Sequence, residues 1–131
     1  MRKIVFLTGT RADYGKLKSL MKKVEESNKF ELHVFVTGMH MLQKYGSTYH
    51  EVEKDGFKNI YKYINQKSSS SHHMDIALSN TIIGLSNYCD EISPYMIVVH
   101  GDRLEALAGA IVGAFNNIKV MHIEGGEVSG T

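Results

Sequence analysis

Five short runs of β-branched and aromatic residues recur along this chain, and between them the apolar residues change from continuous or alternating order to a spacing of three and four. Residues 3–8 (KIVFLT), 31–37 (ELHVFVT), 59–64 (NIYKYI), 95–99 (YMIVV) and 118–123 (IKVMHI) read as strands. The first, fourth and fifth are nearly unbroken apolar runs, as expected of parallel strands covered on both faces. Tyr14, Leu17, Met21 and Val24 fall on one face of a first helix. Leu42, Tyr45, Tyr49 and Val52 stripe a second, weakened by Gly46. Leu78, Ile82, Leu85, Cys89 and Ile92 mark a third. Leu104, Leu107, Ala108, Ile111, Val112 and Phe115 mark a fourth, whose many small residues point to close packing on a sheet. The order βαβαβαβαβ implies the α/β class, with a doubly wound parallel sheet and right-handed crossovers. Pro94, the only proline, opens the fourth strand, where a missing donor does little harm.

With 131 residues there is chain enough for one domain and its core, and no internal repeat or second domain is found. The near-neutral balance, +1 from 15 basic and 14 acidic residues, gives no surplus of cations for nucleic acid. The single cysteine, Cys89, excludes an internal disulfide. The first apolar run is too short for a signal sequence or a membrane span, so a cytoplasmic location is expected. QKSSSSHH, residues 66–73, reads as a polar connection into the third helix.

In doubly wound sheets ligands bind beyond the carboxyl ends of the strands, where the strand order reverses. A strand order of 3-2-1-4-5 puts the first and fourth strands on either side of that crevice. Gly9-Thr10-Arg11-Ala12-Asp13 follows the first strand, His100-Gly101-Asp102-Arg103 the fourth, and Glu124-Gly125-Gly126-Glu127 the fifth. Three separate segments thereby deliver two arginines, several carboxylates and glycines to one mouth. Asp102 with Glu105 also has the spacing of a capping box, and Asp13 is the expected N-cap of the first helix. Arg103, in the first turn of the fourth helix, faces the positive end of the helix dipole, at a cost of about 0.3–1 kcal/mol. Two arginines at two helix N-termini across one crevice suit a diphosphate.

Taken alone, Glu124 and Glu127 would be solvated loop charges. His72 and His73 would be exposed, and His100 and His122 would pack or hydrogen-bond at strand ends. No pair of histidines has zinc spacing, so no metal is expected. GTRADYG is not G-x-G-x-x-G, and the second strand ends in Thr37-Gly38 without a ribose-binding acid, which argues against a nicotinamide site. No P-loop or nucleophile elbow occurs, and Cys89 lies inside a helix stripe, so no cofactor and no covalent nucleophile are expected.

TGTRADYGKL, HGDRLEALA and HIEGGEVSGT together resemble the hydrolysing UDP-N-acetylglucosamine 2-epimerases of sialic acid biosynthesis. The non-hydrolysing relatives carry a GTRPE opening, and GTRADY favours the hydrolysing branch. The resemblance implies the Rossmann-like N-terminal half of a glycosyltransferase-B-like two-domain fold, with Thr131 as a truncation point and a C-terminal UDP-binding domain beyond it. It implies conversion of UDP-GlcNAc and water to ManNAc and UDP, by anti elimination and hydration of a glycal, in an enzyme that dimerises when full length. It also implies that Asp102 and Glu124 are the catalytic carboxylates, that Arg11 and Arg103 contact UDP, and that Gly15 offers a backbone contact where some relatives have Ser. Glu105 would be structural. The competing expectations are a non-hydrolysing epimerase, a hydrolysing enzyme for a UDP-diacetamido-trideoxyhexose, and a non-catalytic nucleotide-binding module.

Overall fold

A computed structural model describes residues 1–67 and 73–124. The strands are β1 (Arg2–Thr8), β2 (Phe30–Val36), β3 (Ile60–Lys62), β4 (Met96–His100) and β5 (Lys119–Ile123). The helices are α1 (Arg11–Glu26), α2 (Tyr49–Lys54), α3 (Met74–Ile92) and α4 (Leu104–Asn116). All strands are parallel, in the order β3-β2-β1-β4-β5. The sheet order reverses between β1 and β4, as the alternating pattern predicts. QKSSSSHH falls largely, and GGEVSGT wholly, outside the described residues.

Strand alternation divides the core into two layers. Ile4 and Phe6 of β1, Leu32, Val34 and Val36 of β2, and Val98 of β4 pack with Tyr14, Leu17 and Met21 of α1 and Val52 of α2. Val5, Leu7, Phe35, Ile97 and Val99 face the other way, against Leu85, Tyr88 and Cys89 of α3 and Ala106 and Val112 of α4. The small residues of α4 let it lie close on the sheet. A Cβ at Gly109 would come 2.5 Å from Val99 Cγ1.

The second stripe does not form one helix. Leu42 takes an extended backbone conformation, and Gly46 sits at φ +78°. The segment therefore breaks into two 3-10 turns, Gly38–Met41 and Gln43–Tyr45, before the short α2. The stripe assigned to α4 is also rotated. Leu107 and Phe115 are exposed, while Glu105, Ala106, Ala108, Gly109, Val112 and Gly113 are buried. The close approach forced by the glycines turns the narrow face inward and the bulky one outward. The expectation that β5 is covered on both faces also fails: it is an edge strand, and none of its residues is buried. Pro94 lies just ahead of β4, which begins at Met96.

Candidate functional site

The carboxyl ends of β1, β4 and β5 open on one side of the sheet. At β1, the first turn of α1 is capped by Thr10, whose side chain accepts the Asp13 backbone N–H at 3.0 Å. Asp13 is therefore not the N-cap expected of it. Its Oδ2 reaches back to accept the Gly9 N–H at 3.1 Å, and its carboxylate is buried. This reciprocal arrangement satisfies donors at the helix start and leaves Oδ1 free to serve another element.

That element is β4. Met96, Val98 and His100 share the face that carries α1, and His100 Nδ1 lies 2.8 Å from Asp13 Oδ1. The opposite ring nitrogen, Nε2, lies 3.0 Å from Glu124 Oε2. Both partners are carboxylates, and a neutral imidazole has only one N–H to donate. The charged form satisfies both. Burial of the ring opposes its charge, but the hydrogen bonds to Asp13 and Glu124 outweigh that and hold His100 above its ordinary value. The same contact, with help from Lys16, holds Glu124 below the usual carboxylate range. Lys16 Nζ stands 3.8 Å from Glu124 Oε1. Asp13, His100 and Glu124 form a line, with the ring in the middle. Among the described residues no group of three or more His, Cys, Asp and Glu is arranged to hold a metal ion.

Gly101 ties β4 to β5 at the mouth. Its N–H donates to the Ile123 carbonyl at 3.0 Å, and its carbonyl accepts from His122 Nε2 at 2.6 Å. This continuation needs φ +77°, which glycine adopts without penalty. Glu124 itself sits at φ +52°, an uncommon conformation for a side chain of its size. His100 and His122 thus hydrogen-bond at strand ends, as read from the sequence. Sequence reasoning stopped there and missed that His100 joins two acids.

Asp102 lies exposed in the bend after β4. It does not cap α4: the N-cap residue is Arg103, without a side-chain cap bond. The expected Asp102–Glu105 capping box is absent because Glu105 turns inward. Its carboxylate is buried, accepts from Asn65 Nδ2 at 3.2 Å, and places Oε1 3.5 Å from Arg103 Nε. Asn65 also donates to Thr81 and accepts the Gly38 N–H at 3.1 Å. Gly9 is required here, since a Cβ would come 2.7 Å from Glu105 Oε1. Burial pushes the Glu105 carboxyl up, against the pull of Arg103 and Asn65. Arg103, at the N-terminus of α4, is thereby ion-paired to a buried carboxylate, although neither its Nε nor Glu105 Oε1 has a hydrogen-bond partner among the described residues.

Arg11 is the first residue of α1, and its Nε pairs with Glu51 of α2 at 3.2 Å. Gly15 is exposed, one turn into α1, and a Cβ there would meet nothing within 4 Å, so a serine would fit as well. Asp102, Arg103 and Glu124 are thus brought to the mouth, with Gly15 open on α1. Arg11 is drawn toward α2. Cys89 is buried in α3, its thiol pushed up to about 12 by burial, away from this end. A groove of about 420 Å³ bordered by Asp90, Ser93 and Asn116 lies at the far ends of α3 and α4. None of the candidate side chains borders it. Among the described residues no helix is long and apolar enough to cross a membrane.

Comparison with known proteins agrees with this layout. The family model described as UDP-N-acetylglucosamine 2-epimerase matches residues 22–131. Over 131 residues the chain is 51% identical to a UDP-N-acetylglucosamine 2-epimerase of Neisseria meningitidis serogroup B, covering all of this chain and 34% of that protein. It is 37% identical to a hydrolysing UDP-N,N'-diacetylbacillosamine 2-epimerase of Legionella pneumophila, again covering all of this chain and 35% of the relative. The chain thus spans about a third of the length of these relatives. Among solved structures it superimposes on the Methanocaldococcus jannaschii UDP-GlcNAc 2-epimerase in complex with UDP-GlcNAc and UDP. The TM-score is 0.77 at 25% identity, over 98% of this chain and 34% of that one. The parallel sheet is the Rossmann-like sheet found in the N-terminal half of the two-domain glycosyltransferase-B fold. A family match over most of the chain, on a sheet whose β1, β4 and β5 ends converge at one mouth, places the chain in the UDP-N-acetylglucosamine 2-epimerase family.

Proposed function

We propose that this chain forms the N-terminal Rossmann-like part of a hydrolysing UDP-GlcNAc 2-epimerase, which converts UDP-GlcNAc and water to ManNAc and UDP. The observation that carries the reading is the junction of β4 and β5. There the Gly101–Ile123 hydrogen bond sets the Asp102-Arg103 segment beside Glu124. In the proposed reaction one carboxylate takes the proton from C2 while the C1–O bond breaks and UDP departs, leaving a glycal. Water then adds its hydroxyl at C1, and C2 receives a proton on the opposite face. Asp102 and Glu124 are assigned these proton transfers. Arg103, ion-paired with Glu105 at 3.5 Å, presents its donors to the diphosphate, on whose oxygens charge grows during cleavage. Arg11 joins it by exchanging Glu51 for the nucleotide, and Gly15, with open space where a side chain would stand, leaves room for the nucleotide beside α1.

The GTRADY opening and the likeness to the Legionella enzyme support the hydrolysing reaction. The Legionella enzyme acts, by its name, on a UDP-diacetamido sugar, which makes UDP-diacetylbacillosamine the second substrate to try. The deciding experiment is proton NMR of the full-length protein with each UDP-sugar in D2O. Free ManNAc deuterated at C2, released together with UDP from UDP-GlcNAc, is the expected result. UDP-ManNAc without free sugar would overturn the hydrolysing assignment, and turnover of the diacetamido sugar alone would move the substrate. Asp102→Asn is expected to abolish turnover while UDP affinity stays within a few-fold of wild type.

A further inference from the structure

The line Asp13–His100–Glu124 has a geometry that a merely structural role for His100 does not require. Its members come from α1, the end of β4 and the turn after β5, and they are separated in sequence by 87 and 24 residues. Asp13 is buried and already committed through Oδ2 to the Gly9 N–H, so its other oxygen is fixed in direction. The His100 side chain is 12% exposed, and that of Glu124 is 52% exposed. The line therefore runs from a rigid, dry anchor to a carboxylate facing the mouth. One oxygen of Glu124 is taken by His100, and the other lies toward Lys16.

From this we infer that Asp13 and His100 are positioning residues that act through Glu124: Asp13 orients the His100 ring, and His100 holds the Glu124 carboxylate at the mouth as an anion. The inference rests on the function proposed above for Glu124. A flexible glutamate in a turn would otherwise sample several rotamers, and would take up a proton as readily as an ordinary surface carboxylate. Hydrogen bonding to a pinned imidazolium removes both freedoms. The direction of the His100 and Glu124 shifts agrees with the geometry. Near the line stand Lys16 on α1, His122 on β5, and Asp102 and Arg103 in the bend after β4, and Asp13 also interacts electrostatically with His40 and Glu105. Lys16 is well exposed and spends its charge on Glu124, and His122 is engaged with the Gly101 carbonyl.

The test uses the full-length enzyme and two readouts. In the first, the His100 ring is titrated by NMR in wild type, Asp13→Asn and Glu124→Gln. The ring is expected to titrate above 6.5 in wild type, the ordinary value, and lower in each variant. Identical titration in all three would overturn the linkage. The second readout is kcat and KM against pH for Asp13→Asn, Asp13→Glu and His100→Gln. Asp13→Asn should lower kcat roughly 10- to 100-fold with KM little changed, and move the alkaline limb of kcat to lower pH. His100→Gln should abolish that limb, and Asp13→Glu should restore most of the activity. Circular dichroism and UDP affinity report whether each variant is folded. Folded variants with unchanged kcat and an unmoved limb would overturn the positioning role. Failure to turn over either UDP-sugar, with the titration as expected, would overturn the proposed function and support the linkage, since the titration needs no substrate.

Discussion

Glu105→Gln should make the protein more stable at pH 8 and change little at pH 4. The carboxylate is 3% exposed, with a hydrogen bond from Asn65 and the Arg103 guanidinium 3.5 Å away. At that distance an effective dielectric near 20 gives a gross attraction of about 5 kcal/mol. Removing two charges from water costs several kcal/mol for each, and the partial exposure of Arg103 screens the pair further. Burial wins, so the Glu105 carboxyl lies above its ordinary 4.5. A carboxyl raised in the folded state binds its proton more tightly there. Its contribution to stability is fully present below 4.5 and is lost as pH rises through the folded value. Gln keeps the volume and the acceptor for Asn65 without the charge. The variant should gain about 1–2 kcal/mol at pH 8, a rise in Tm of roughly 3–8 °C for a chain of this size. Arg103→Ala should do the reverse, destabilising more at pH 8 than at pH 4, because it strands a buried anion. Urea and thermal unfolding at the two pH values measure both. A Glu105→Gln chain less stable than wild type at pH 8, or a difference that does not vary with pH, would refute the reasoning.

Two further outcomes follow from buried groups. Burial, against the pull of Asp13 and Glu51, takes His40 down to about 4, where the neutral ring is held between Thr8 and Thr48. This contribution is present above 6.5 and lost as pH falls toward 4, so about 3 kcal/mol of stability should disappear over that interval. His40→Gln should flatten that part of the pH–stability curve, and an unchanged slope would count against the assignment. Cys89, with its thiol raised to about 12, should resist thiol reagents at pH 8 in the folded chain and react on unfolding. Rapid labelling of the native state would contradict its burial.

The sequence alone settled the class of fold, and the strand order it led us to expect is the one observed, which brings the candidate residues to one end of the sheet. Each of these follows from local periodicity joined to the fixed hand of βαβ crossovers, which leaves few ways to arrange five strands and their helices. The positions of Asp102, Arg103 and Glu124 at that end were legible because they come soon after apolar strands, while their roles came from the family resemblance. The alternation of β4 also held a usable signal for His100: it lies two residues beyond Val98, on the face that α1 covers.

What a local pattern could not hold was set by how closely the elements approach one another. The glycines of α4 bring its narrow face onto Val99, leaving Leu107 and Phe115 outside and carrying Glu105 inward, away from capping. The left-handed Gly46 and extended Leu42 interrupt a stripe that periodicity alone joins into one helix. Asp13 looked like an N-cap because the two residue types that cap helices, Thr10 and Asp13, stand three apart. Only the packing of α1 beside β4 shows that Thr10 caps and that Asp13 turns to His100. Hydrogen bonds between elements depend on ångström-scale placement, whereas a hydrophobic period specifies only which face is turned inward.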